Sequence, residues 1–150
     1  MLFRRISRSD PEKIFVVVMN SWSTASLTNG MCVQFDFLTD VDGVGVSKPS
    51  GMATNLGNAC AGIVAETIAF EDYGLVQCYG YHASVIARVC TTADNIELGS
   101  GIRPALSATN SFNVEGQDPD GTLNYHCIGF ALSIWSSWTT TRISAFIKAL

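Results

Sequence analysis

Two stretches of this chain answer two others at almost constant spacing. "LTNGMCVQFDF" at Leu27 matches "IELGSGIRPAL" at Ile96, and "CAGIVAETI" at Cys60 matches "CIGFALSIW" at Cys127. Gly30 is answered by Gly99, 69 residues on, and Gly62 by Gly129, 67 residues on. "GLVQCYG" then falls opposite "TRISAFI". Two related β-units that pack together would explain such spacing, and coincidence in a glycine-punctuated β-chain is the alternative.

The units are expected to be β. Gly, Asn, Asp, Ser and Thr interrupt the chain roughly every 8–15 residues, the rhythm of an all-β barrel or sandwich. "KIFVVVMN" predicts a buried strand. "MCVQFDF" alternates, with Met31, Val33, Phe35 and Phe37 on one face and Cys32, Gln34 and Asp36 on the other. "DVDGVGVS" predicts a turn into a short strand. "GIVAETI" and "GLVQCYGY" predict a hairpin shaped by Gly62, Gly74 and Gly80, with Phe70 to Tyr73 as its turn and "ASVIARV" beyond a bend near Gly80. In "GIRPALS", Pro104 suggests an edge strand or a bulge. "TRISAFIKAL" fits helical spacing through Ile143, Phe146, Ile147 and Leu150, and strand alternation through Ile143, Ala145 and Ile147. The threonines before it favour a strand. The expected fold is an all-β, glycine-punctuated small barrel or sandwich, with two related β-units and an extended N-terminal arm. Residues 1–13 form the basic arm and 14–150 a single β-rich domain, with possible halves 14–92 and 93–150.

A hydrophobic content of 47% excludes disorder, while 15% charged residues is low for the wet surface of a monomer, so burial against other chains is expected. The net charge is −4, and Arg4, Arg5, Arg8 and Lys13 supply four of the nine basic residues. An acidic body argues against direct nucleic-acid binding, which needs a basic face. The arm either docks on an acidic surface or is a solvated terminus. "IFVVVM" is too short for a bilayer span or a signal-peptide core, and there is no Asn-x-Ser/Thr sequon; no membrane association and a cytoplasmic site of synthesis are expected. Five cysteines without a Cys-x-x-Cys pair read as reduced core thiols.

No catalytic, metal or cofactor-binding residue is expected. His82 and His126 lack a Gly-x-Ser-x-Gly elbow, and strand alternation puts His126 and Cys127 on opposite faces. "DVDG" at Asp40 and "DPDG" at Asp118 lack the further oxygen ligands and closing Glu of a calcium loop and read as turns. Gly43–Gly45 and Gly99–Gly101 are too short for phosphate loops. Glu66, Glu71 and Asp72 read as a solvated face plus an acidic turn rather than an acid–base pair. Trp22, Trp135 and Trp138 stand among serines and threonines, the setting of partner-contacting anchors or of caps on barrel ends.

"LTNGMCVQFD" and "AGIVAETIAFEDYGLVQCYGY", restated by "IELGSGIRPALS", "IGFALSIW" and "SAFIKA", resemble the small structural proteins of tailed bacteriophages, of the head-decoration (cement) type. The resemblance covers about two thirds of the chain. It implies a virion protein on the capsid surface that binds major capsid protein subunits, stabilises the shell and forms a homo-oligomer, with a trimer favoured. Under it the partner interface includes Arg4, Arg5, Arg8, Trp22, Trp135 and Trp138. A tail, neck or fibre component, or a glycan-binding module, is the alternative.

Overall fold

The computed structural model describes residues 12–23, 25–37, 40, 43–49, 59–88, 96–105, 113–116, 127–136 and 139–149. They form nine strands: β1 (Ile14–Asn20), β2 (Cys32–Phe35), β3 (Gly45–Ser47), β4 (Cys60–Val64), β5 (Tyr73–Ala87), β6 (Gly101–Pro104), β7 (Val114–Gly116), β8 (Gly129–Ala131) and β9 (Thr141–Lys148). No α-helix occurs among the described residues.

The sheet order is β1-β3-β2-β4-β5-β7-β6-β8-β9, with further pairings of β1 with β5 and β5 with β9. These two pairings close two rings. In the first, β1 runs parallel to β3, and β3-β2-β4-β5-β1 follow antiparallel. In the second, β5 runs parallel to β7, and β7-β6-β8-β9-β5 follow antiparallel. The topology is the same, and β5 serves as last strand of one ring and first of the next.

The correspondence reaches single residues. Leu27 and Ile68 exchange backbone hydrogen bonds of 2.9 Å in both directions, and their counterparts Ile96 and Trp135 do so at 2.8 and 2.7 Å. The Gly30 and Gly99 amides each donate at 2.8 Å, to the Val64 and Ala131 carbonyls. Both glycines have positive φ, +90° and +83°, a conformation that residues with a side chain rarely adopt. The alternating strand pattern sends Val18, Leu27, Val33, Val46, Ala61, Val64 and Val76 into the first interior. Their counterparts Ala87, Ile96, Ile102, Val114, Ile128, Ala131 and Ile143 fill the second. One register differs: Val64 faces Val76, whereas Ala131 faces Ala145, two residues beyond the counterpart of Val76.

Four local expectations are corrected. The chain does not bend into a new strand at Gly80; β5 continues, changing partners from β1 to β9 with a register shift between His82 and Val85. Gly80 permits this at φ +100°, where a Cβ would overlap the Glu12 carbonyl. The strand expected over "GIVAETI" is shorter, since β4 stops at Val64: Glu66 is exposed, and the bridge to Leu27 draws Ile68 into the core. β6 lies between β7 and β8 rather than at an edge. Pro104 is tolerated at its last position because β8 pairs only with Gly101 and Ile102. β1 is not buried on both sides: Val16 and Val18 face inward, while Ile14, Phe15 and Val17 are 39%, 41% and 63% exposed. The C-terminal segment is a strand, β9.

Candidate interaction surface

The joint between the two units is built on β5. The turn before β2 seats Gly30 against the second unit: the Ile86 amide donates to the Gly30 carbonyl at 2.9 Å. The Arg142 guanidinium donates through Nη1 to Asn29 O at 2.9 Å and Ser84 Oγ at 2.8 Å. A Cβ on Gly30 would overlap the Ser84 carbonyl oxygen and stand 3.3 Å from Ile86 Cγ1. Cys32, Cys60 and Ile63, on strands of the first unit, belong to the second unit's apolar cluster. Beside this joint lies a cleft of about 230 Å³ lined by Lys13, Phe15, Asn29, Gln77, His82 and Ser84, among others.

His82 is 6% exposed, and its Nδ1 accepts from the Ser84 amide at 3.2 Å. Burial pushes its pKa down, opposed by a hydrogen bond with the Val64 backbone and reinforced by Lys13 and Arg142. Cys32 and Cys60 face each other with sulfurs 3.6 Å apart. The Cys60 thiol and burial together hold the Cys32 pKa well above its ordinary value. A raised pKa disfavours the thiolate that nucleophilic cysteine chemistry needs. Glu66, Glu71 and Asp72 are exposed, and Glu66 Oε1 accepts from the Leu75 amide at 3.1 Å. The Asp40 carboxylate caps its own loop, accepting from the Val44 amide at 3.1 Å and from the Gly45 amide. His126, Asp118 and Cys90 lie outside the described residues.

Of the residues singled out from sequence, Arg4, Arg5, Arg8 and Trp138 lie outside the described residues. Trp22 is half-buried against the first core, with Lys48 Nζ 5.0 Å from its ring centroid, within cation–π range. Trp135 is half-buried against the second core in the place Ile68 holds in the first, and its Nε1 donates to Thr139 O at 3.2 Å. The two tryptophans therefore sit on different units.

No protein-family model matches the chain, and no curated protein matches it. Among solved structures it is similar to "The crystal structure of head fiber gp8.5 N base in bacteriophage phi29", with a TM-score of 0.49 and 11% identity over 92% of this chain and 96% of that chain. A likeness at that level carries no functional argument.

Two apolar surfaces escaped the sequence reading. On the outer face of the first unit, Phe15, Val17 and Met19 stand opposite Gln77, Leu75 and Tyr73. Val17 and Tyr73 are 63% and 65% exposed, and Phe15 and Leu75 are exposed as well. On the second unit Leu98, Phe130, Leu132 and Ile134 are exposed, Leu98 at 67% and Ile134 at 70%. The available signal was the run "IFVVVM", which supplies apolar residues to both faces of β1.

Proposed function

We propose that this chain is a structural virion protein of a tailed bacteriophage that decorates the capsid, binding major capsid protein subunits and stabilising the shell. The observation that carries the reading is its pair of exposed apolar surfaces on an all-β body with only 15% charged residues, the composition of a surface made to be covered. The sequence resemblance to head-decoration proteins supplies the class of partner. Homo-oligomers, with a trimer favoured, suit sites where several capsid subunits meet. The basic arm with Arg4, Arg5 and Arg8 would lie along a neighbouring subunit, gaining contact area at the cost of ordering. No catalytic group, metal or cofactor enters this role.

A second reading, a tail, neck or fibre component that touches host glycans, is favoured by the half-buried rings of Trp22 and Trp135, which suit stacking on sugars. The experiment is titration of purified protein onto expanded empty capsids. Saturable binding at one copy or oligomer per capsid lattice site supports decoration. Absence of saturable binding by a folded protein refutes it, and glycan-array binding with a few copies at one vertex favours the second reading.

A further inference from the structure

We propose that the chain self-associates head to tail, with the turn Glu97–Ser100 of one copy seated on the β1–β5 face of the next, repeating between molecules the contact the two units make within one. The inference rests on the internal repeat and not on the virion reading.

Within the molecule, the first unit presents the turn at Asn29–Gly30, and the second receives it on Ser84, Ile86 and Arg142. The repeat assigns each participant a counterpart. The presenting pair corresponds to Leu98–Gly99, and the receiving residues to Phe15, Val17 and Leu75. Among the described residues no turn is seated on Phe15, Val17 and Leu75, and these three and Leu98 are exposed. Gly30 is packed so tightly that a Cβ would overlap Ser84, whereas Gly99, at nearly the same φ, has nothing within 4 Å of an added Cβ. Ile63, in the inter-unit cluster, is fully buried, while its counterpart Phe130 is 45% exposed.

The chemistry of the two free faces matches. Where the internal contact is polar, through Asn29, Ser84 and Arg142, the free counterparts are Leu98, Phe15 and Leu75, apolar on both sides. Phe130, Leu132 and Ile134 continue the apolar character beside the presenting turn. β3 pairs with β1 only at Met19 and Asn20, so the Ile14–Val18 edge of β1 away from β5 has no strand partner among the described residues. The Val17 amide is the counterpart of the Ile86 amide that binds Gly30, and in the assembly it donates to the Gly99 carbonyl of the neighbour. Unlike faces that meet this way form a heterologous contact, which closes into a ring if the rotation permits.

The test uses the full chain in sedimentation velocity over a concentration series, with Val17→Asp, Leu98→Asp and Gly99→Ala. Each variant should weaken association about tenfold or more, a change of a single buried interface residue's size. Circular dichroism should show all three folded; Leu98 and Gly99 lie in an exposed turn, so they keep the test valid if Val17→Asp fails to fold. Mixing Val17→Asp with Leu98→Asp should restore a one-to-one dimer, because each keeps the face the other has lost. A wild-type protein that stays monomeric at all concentrations overturns the proposal. So does an oligomer indifferent to Leu98→Asp and Gly99→Ala, or one lost only when residues 1–11 are deleted. Capsid binding is not read in this assay, so failure here and failure of the decoration reading are separately visible.

Discussion

Alanine at Gly30 and alanine at Gly99 are the same chemical change at the same place in two copies of one unit, and their costs should differ. Both positions have positive φ, +90° and +83°, so both variants carry about 1–2 kcal/mol of backbone strain. At Gly99 nothing else is added, since a Cβ there meets no atom within 4 Å. At Gly30 the Cβ overlaps the Ser84 carbonyl, lies 2.9 Å from Arg142 Nη1 and 3.3 Å from Ile86 Cγ1. Arg142 can swing away, but Ser84 O is backbone and cannot move without disturbing β5. Overpacking of this kind adds about 1–3 kcal/mol. Gly30→Ala should therefore be less stable than Gly99→Ala by about 1–3 kcal/mol. Urea unfolding of dilute protein, followed by tryptophan fluorescence, reads the difference as a lower midpoint at unchanged slope. Equal midpoints for the two variants would refute the claim that the first unit's turn is wedged onto the second.

Three further outcomes follow from the joint and the cores. Arg142→Ala removes the hydrogen bonds to Asn29 and Ser84 that tie the units together and should cost about 1 kcal/mol, discounted for the exposure of the guanidinium, in the same unfolding assay. His82 has a lowered pKa, so the unfolded chain takes up its proton first: stability should fall as pH drops below about 6.5, and His82→Gln should remove that part of the slope. The raised pKa values of Cys32 and Cys78 keep both thiols neutral; alkylation of native protein at pH 8 should spare them, and urea should expose them, as peptide mass mapping would show.

The repeat was legible because the features that carry it are ones geometry enforces. Gly30 and Gly99 turn the chain at positive φ, so each copy of the turn is served by the same residue. Alternation in "MCVQFDF" was readable for a similar reason: a closed ring has a distinct inside, and Val33 went there. The sharing of β5 was not legible. Its sequence shows a glycine at position 80 in an apolar run, and a bend or a change of partner would satisfy that glycine equally. The open face of β1 was hidden too, because Phe15 and Val17 are as apolar as the inward Val16 and Val18. Trp135 looked like a surface anchor because of its serine neighbours, and only the bridge to Ile96 places it in the position of Ile68. Arg4, Arg5 and Arg8 keep the role the resemblance implies for them as a proposal.

Head-to-tail association is tested most directly by hydrogen–deuterium exchange at rising protein concentration. Peptides covering residues 14–18 and 97–100 should become protected together, with the Val17 amide slowed as the Ile86 amide is slowed by Gly30 within the molecule. Protection of one segment without the other, or of neither while the protein assembles, would contradict it.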